Sequence, residues 1–101
     1  MKIALKRLES QGSIEKATFS DKQIASNIDR AQKDLVTAMA NLEIDEEWAY
    51  TISYHAMLRA GRALMFSLCY RPIGKNQHRT VVEFCAEVLG EDFKSLTNRY
   101  Q

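Results

Sequence analysis

Turn-forming residues are scarce in this sequence of 101 residues. It contains one proline, Pro72, and four glycines. A sheet of many strands needs a supply of proline and glycine for its turns, and this chain has little of either. Hydrophobic residues make up 46% of the chain, which is enough for a modest core and excludes a disordered polymer. The composition therefore predicts one helical domain.

Long apolar runs and metal-binding cysteine pairs are also lacking. The longest strongly apolar run, Ala63 to Tyr70, is far shorter than the roughly 20 residues that span a bilayer. The first twelve residues, MKIALKRLESQG, have no apolar segment of the kind that a signal peptide needs. Cys69 and Cys85 show no metal-site spacing. We expect a cytoplasmic protein with no membrane contact, no metal and no cofactor, in which both thiols are reduced and buried.

Carboxylates are absent from one third of the chain. Between Trp48 and Val82 there is no Asp or Glu, although the segment holds both histidines and five of the 14 basic residues. All 13 acidic residues lie elsewhere. This asymmetry favours a positive surface for phosphate or nucleic acid. The alternative is solvation of a loop, because Arg71, Lys75 and Arg79 surround one predicted turn.

Helical periodicity runs through most of the chain. A first helix is predicted over about Lys2 to Ser10. A second begins at Ser20, which forms a capping-box pattern with Gln23. Apolar residues follow at spacings of three and four, and they predict the buried face of this helix: Ile24, Ile28, Ala31, Leu35, Met39 and Leu42.

The third predicted helix, from after Asp45 to about Cys69, is apolar around most of its circumference. Small residues follow one side of it: Ala49, Ser53, Ala56, Ala60, Ala63 and Ser67. A helix with so much apolar surface is central in its bundle or meets another subunit, so we predict a homodimer. Residues 71–77 are predicted as a loop.

A fourth helix is predicted over about His78 to Leu89, with Gly90 as its stop. A last helical segment, Glu91 to Gln101, is cut short. The fold expected for residues 1–101 is a single all-α domain, an antiparallel up-and-down four-helix-type bundle, truncated in its last helix.

Several motifs follow one another from Ala49 to Phe84: Ala49-Tyr50, Tyr54-His55-Ala56-Met57-Leu58-Arg59-Ala60, Arg62-Ala63-Leu64, Tyr70-Arg71-Pro72, Gly74, His78 and Val81-Val82-Glu83-Phe84. Together they resemble the HEPN family of small helical domains. The resemblance implies an up-and-down helical bundle that often dimerises. It also implies a nucleotidyltransferase partner in a toxin–antitoxin pair, and in some members a metal-independent ribonuclease activity.

The ribonuclease members use an Arg and a His separated by four to six residues. Arg71 and His78 match this spacing, here in the loop before the fourth helix, and they are the candidate catalytic pair. A histidine exchanges protons near neutral pH, and an arginine offers a forked donor set to phosphate oxygens. The alternative is structural: His78 packs at the start of the helix while Arg71 pairs with a carboxylate.

Five further residues are candidates for phosphate binding: His55, Arg59, Arg62, Lys75 and Arg79. The first three share a helical face by their spacings of four and three. The alternative for this strip is a solvated stripe, or ion pairs to Glu43, Glu46, Glu47 or Glu83.

The function predicted from these patterns is that of a HEPN-type domain associated with nucleic acid or a nucleotide. It would be the toxin-like or substrate-binding half of a two-protein module with a nucleotidyltransferase, and the activity that the resemblance implies for some members is that of a metal-independent ribonuclease. The alternative is a catalytically inactive domain that dimerises and binds a partner.

Overall fold

A computed structural model describes residues 2–90, and four helices dominate this part of the chain. The elements are α1 (Lys2–Ser10), β1 (Ile14–Lys16), α2 (Asp21–Asn41), α3 (Glu46–Ser67), β2 (Tyr70–Pro72) and α4 (Gln77–Leu89). The prediction of an all-α helical bundle is confirmed. The predicted last segment, from Glu91 onwards, lies outside the described residues. Among residues 2–90 no helix is both long and apolar enough to cross a membrane.

Local capping signals set the ends of the long helices. The Gln23 backbone N–H donates to the Ser20 hydroxyl at 3.1 Å, and the Ser20 N–H donates to the Gln23 side chain at 2.9 Å. This is the predicted capping box. Asp45 caps α3 by accepting from the Trp48 N–H at 3.1 Å. Gly90 ends α4 with a φ of 89°, which a side chain would strain.

A short β-ladder between β1 and β2 was not predicted. The two strands pair antiparallel, with Ile14 opposite Pro72 and Glu15 opposite Arg71. The loop predicted over residues 71–77 is therefore wrong at its start. Three-residue strands are too short to show the alternation that identifies a strand in a sequence. Pro72 is tolerated because a two-stranded ladder consists only of edge strands.

The core lies between α1, β1, the second half of α3 and α4. Its side chains are buried: Leu5, Leu8, Ile14, Leu58, Met65, Val81, Val82, Phe84 and Cys85. Helices α3 and α4 approach each other at Gly61. A Cβ atom there would lie 2.6 Å from Cγ1 of Val81, so glycine permits the contact.

Helix α2 lies outside this core and packs on α3 through small residues. Only Ala31 and Ala38 are buried on α2, and they face buried α3 residues such as Ala49 and Ala56. The prediction that the six apolar residues of α2 form its buried face is wrong for most of them, and Met39 is 76% exposed. Periodicity identifies an apolar face, but it does not reveal whether the chain itself covers that face.

The two cysteines differ in exposure. Cys85 is buried, whereas Cys69 is exposed, so the prediction of burial is wrong for Cys69. Helix α3 ends at Ser67, and Cys69 adopts a φ of 65° in the turn that follows. This left-handed conformation takes Cys69 off the helical face on which its burial was predicted.

Candidate anion-binding site

A cavity of about 830 Å³ opens between α3 and the start of α4. We call it the α4 cavity. Two of its lining residues lie on α3, and the others belong to the turn before α4 and its first residues: Tyr54, Arg62, Gly74, Asn76, Gln77, His78 and Arg79. Every ionisable group in this lining is a cation, a histidine or a tyrosine. The cavity is therefore suited to an anion.

The N-terminus of α4 faces this cavity without a side-chain cap. Asn76 occupies the N-cap position with a φ of 59°, and its side chain makes no capping hydrogen bond. The first turn also contains no acidic residue. The first backbone N–H groups of a helix have no partner within the helix, and the helix dipole makes this end positive. Both features favour an anion beside Asn76.

Arg62 is the cation in the cavity that has no counterion. It is half-buried, and it forms no ion pair with any other residue of the described range, 2–90. Burial, and to a lesser extent the neighbouring Arg59, lower the pKa of the Arg62 guanidinium. An arginine remains charged even so, which leaves a partly desolvated positive charge at this wall of the cavity.

The two histidines of the chain meet beside the cavity. The ring centroids of His55 on α3 and His78 on α4 lie 6.1 Å apart, with the ring planes almost perpendicular. Because they lie 23 positions apart along the chain, only the packing of α4 on α3 brings them together. The sequence did not predict this pair.

Three of the five basic residues between Trp48 and Val82 form ion pairs with carboxylates. Arg59 pairs with Asp34 of α2 at 3.0 Å, and Asp34 also accepts from Arg30 at 3.3 Å. Arg71 pairs with Glu15 across the β-ladder. Arg79 pairs at 3.0 Å with Glu83, one turn further along α4. Ion pairing is thus the correct alternative for Arg71 and Arg59, although Arg59 pairs with Asp34 rather than with one of the four predicted acids. One of those acids, Glu83, pairs instead with Arg79, for which no ion pair was predicted.

The predicted site residues fall into separate groups. Arg71 belongs to β2 and contacts Glu15, whereas His78 lines the α4 cavity with Arg62 and meets His55. Arg71 is not part of the cavity lining, so the structure groups His78 with His55 and Arg62 instead. Lys75 is exposed and lies between the lining residues Gly74 and Asn76.

Sequence reasoning missed Tyr54, Asn76 and Gln77 as parts of the site. A signal for the turn is present in Gly74-Lys75-Asn76-Gln77-His78-Arg79. A helix that starts there lacks an acid in its first turn and is surrounded by cations. No comparable signal marks Tyr54, whose place in the lining depends on the packing of α3 beside this turn.

Comparison with known proteins identified no relative. No family model matches the chain, and no curated protein or solved structure matches it either. Within residues 2–90, no three His, Cys, Asp or Glu side chains lie close enough together to hold a metal ion.

Proposed function

We propose that the chain is a nucleic-acid- or nucleotide-associated domain that binds a phosphate group in the α4 cavity. The observation that carries the proposal is Arg62, a half-buried cation without a counterion among the described residues. A desolvated charge of this kind is costly until an anion joins it. A phosphate bound there would also meet the uncapped start of α4.

Several lining groups can take part in phosphate recognition. The Arg62 guanidinium can donate two parallel hydrogen bonds to phosphate oxygens. Backbone N–H groups after Asn76 can donate to a third oxygen. Tyr54 and His78 offer flat rings beside the phosphate, suited to a base or ribose. These contacts select phosphate rather than base sequence.

RNA and nucleotides share this chemistry, and the resemblance to HEPN domains implies the same ligands. According to this proposal, the chain is the substrate-binding half of a two-protein module with a nucleotidyltransferase. A nucleotidyltransferase reading frame adjacent to the gene would support this partner, and coexpression of the two proteins followed by copurification tests it directly.

Filter binding of a labelled single-stranded RNA at low salt tests the cavity. Arg62→Ala should weaken retention for every sequence and lower the slope of log affinity against log salt by roughly 0.7, the value for one lost phosphate contact. Arg30→Ala is the matched control, because Arg30 is an exposed arginine of α2. Its partner Asp34 remains paired with Arg59 when Arg30 is removed. Arg30→Ala should leave both quantities unchanged.

Two further results decide between sites and between ligands. If Arg71→Ala weakens retention as much as Arg62→Ala, binding belongs to the whole basic segment rather than to the α4 cavity. If the wild type retains no RNA, titration with a nucleoside triphosphate tests the smaller ligand. Failure of both ligands contradicts the proposal and favours a catalytically inactive interaction domain.

Metal-independent RNA cleavage is a second candidate function, favoured by the contact between His55 and His78. One neutral histidine would take the proton from a ribose 2′-hydroxyl as its oxygen attacks the phosphorus atom. The other, protonated, would donate to the departing 5′-oxygen as the P–O5′ bond breaks. The products are a 2′,3′-cyclic phosphate and a 5′-hydroxyl, and Arg62 would stabilise the charge on the phosphate.

Incubation of RNA with the protein in EDTA tests cleavage. The active protein should produce cyclic phosphate ends, and it should not cleave an RNA that carries 2′-O-methyl groups. His55→Ala and His78→Ala should each lower the rate by about 100-fold or more while RNA retention persists. Cleavage that survives loss of His55 but not loss of Arg71 would instead support the pair predicted from the sequence.

A further inference from the structure

A continuous apolar groove runs between α2 and α3, on the part of the molecule that the core leaves uncovered. Two cavities of about 300 and 360 Å³ form it, and they share Leu35 and Ser53. We call it the α2–α3 groove. Helix α2 contributes mainly large side chains and α3 several small ones; the lining is Ala31, Leu35, Ala38, Met39, Leu42, Ala49, Tyr50, Ser53, Tyr54, Ala56, Met57 and Ala60.

Helix α2 gains little burial from its own chain. It has 21 residues, yet its buried residues are two alanines. Leu35 is 48% exposed, Leu42 58% and Met39 76%. An amphipathic helix is stabilised mainly by covering its apolar face, and here the large members of that face remain in contact with solvent.

We propose that a second copy of this chain covers the α2–α3 groove, and that the two α2–α3 hairpins pack antiparallel about a two-fold axis. A two-fold interface must be self-complementary, because both partners use the same surface. The groove meets this requirement. Large residues of α2, such as Leu35 and Met39, form a ridge beside a row of small residues on α3: Ala49, Ser53, Ala56 and Ala60. The ridge of each copy can therefore pack against the row of small residues of the other copy.

The α2–α3 hairpin exposes an apolar area close to what a stable dimer buries. Eight large apolar residues of the hairpin are 39% exposed or more: Ile28, Leu35, Val36, Met39, Leu42, Ile44, Trp48 and Tyr50. Large side chains exposed to this degree present on the order of 100 Å² each. Leu35, Met39, Leu42 and Tyr50 line the groove itself and present roughly 400 Å². With Ile28, Ile44 and Trp48, which lie on the hairpin outside the groove lining, the sum approaches the ~800 Å² per partner of a standard protein interface.

Charge along the hairpin selects the antiparallel orientation. The half that contains the turn, residues 35–54, carries four carboxylates and no Lys or Arg: Glu43, Asp45, Glu46 and Glu47. The opposite half, residues 21–34 and 55–67, carries five cations and three carboxylates. Antiparallel packing places each acidic turn against the other copy's cationic half, whereas parallel packing would place the two acidic turns together.

Light scattering at micromolar concentration tests the interface. The wild type should have about twice the chain mass of 11.6 kDa. Met39→Glu should be monomeric, because the two-fold axis buries the new charge twice, and the dissociation constant should rise roughly 100-fold or more. Since Met39 is 76% exposed, the variant should keep its circular dichroism and fold. Val36→Glu is the matched control, because Val36 is 68% exposed on the same helix but lines a separate surface cavity. It should remain dimeric.

Zero-length crosslinking of lysine to carboxylate tests the orientation. Lys22 and Glu43 are 21 residues apart, roughly 30 Å along a helix, which is too far for such a link within one chain. The dimer band should contain peptides that join Lys22 to Glu43, Glu46 or Glu47. A monomeric wild type, a dimeric Met39→Glu variant, or a dimer without these peptides would each overturn the proposal.

Discussion

At the residue scale, the packing of Val81 and Cys85 of α4 against α3 requires a residue without a side chain at position 61. A Cβ atom at Gly61 would lie 2.6 Å from Cγ1 of Val81 and 3.0 Å from Sγ of Cys85. The Gly61 carbonyl also accepts a hydrogen bond from the Cys85 thiol at 3.7 Å. Glycine in mid-helix normally costs stability, so its presence here reflects the close approach of α4.

Gly61→Ala should therefore destabilise the protein by about 1–3 kcal/mol, although the same change in an exposed helix would stabilise it by about 1 kcal/mol. The cause is overlap with Val81. Urea unfolding of Gly61→Ala, Val81→Ala and the double variant measures the coupling between the two sites. We expect the double variant to be more stable than the sum of the single effects implies. Simple additivity would show that the chain relaxes without strain.

The two thiols differ in exposure: Cys85 is buried and Cys69 is exposed. Burial raises the pKa of the Cys85 thiol from the ordinary 9.0 to about 11. In the unfolded chain the thiol ionises near pH 9, so unfolding releases a proton above that pH. The contribution of Cys85 to stability is complete below pH 9 and is lost as pH rises towards 11.

Between pH 8 and pH 10 the wild type should lose about 1.4 kcal/mol more free energy of unfolding than Cys85→Ala, which lacks the titrating thiol. Urea unfolding at the two pH values measures this difference, and tyrosine and lysine titration cancels between the variants. Equal losses would mean that the thiol ionises as readily in the folded chain as in the unfolded one. At pH 8, a thiol reagent should modify the exposed Cys69 well before Cys85.

At the element scale, the helices differ in how much of their stability comes from local capping and how much from burial in the core. Helix α2 has a complete capping box at Ser20 but little buried apolar surface. Helix α4 has no side-chain cap but buries Val81, Phe84 and Cys85. Helix α2 therefore depends on its cap and on the surface that covers its apolar face, whereas α4 depends on the core and keeps its first turn open to a ligand.

Ser20→Ala should destabilise the chain by about 1 kcal/mol, since it removes the acceptor for the Gln23 N–H and one half of the capping box. Ser20→Asp is the control, because aspartate at the N-cap accepts the same bond and also suits the positive end of the helix. Circular dichroism during urea unfolding reports both variants. An equal loss in Ser20→Asp would assign the effect to the hydroxyl rather than to capping.

At the scale of the whole molecule, the core joins elements from both ends of the described chain. Leu5 and Leu8 of α1 and Ile14 of β1 belong to the same buried cluster as Phe84 of α4. Phe19, just before α2, stacks on Phe66 near the end of α3 with ring centroids 3.9 Å apart. Residues 4–20 thus close the open end of the α2–α3 hairpin, and β1 within them pairs with β2.

Leu8→Ala should cost about 2–5 kcal/mol, because Leu8 is 2% exposed and its loss leaves a cavity between α1 and α4. Leu89→Ala makes the same chemical change at a residue that is 54% exposed. It should cost less than about 1 kcal/mol. Thermal and urea unfolding measure both variants. Similar small costs would mean that α1 does not share the core.

The sequence determined the helices and several of their ends because those features depend on residues within one or two turns of each other. The capping box at Ser20, the start of α3 after Asp45 and the stop at Gly90 are all predicted by the sequence. The carboxylate-free segment also contains three predicted site residues that line the cavity, Arg62, His78 and Arg79: the two arginines were predicted from charge, and His78 from its spacing to Arg71.

Only the tertiary structure decided which of these charges are available to a ligand. Arg71 meets Glu15 across 56 positions of the chain, and Arg59 meets Asp34 across the α2–α3 hairpin. Such pairs depend on which elements pack together, so local sequence spacing does not predict them. The same holds for the meeting of His55 with His78 and for the exposed face of α2. Charge and hydrophobicity are properties of each residue, but neutralisation and burial depend on its neighbours in space.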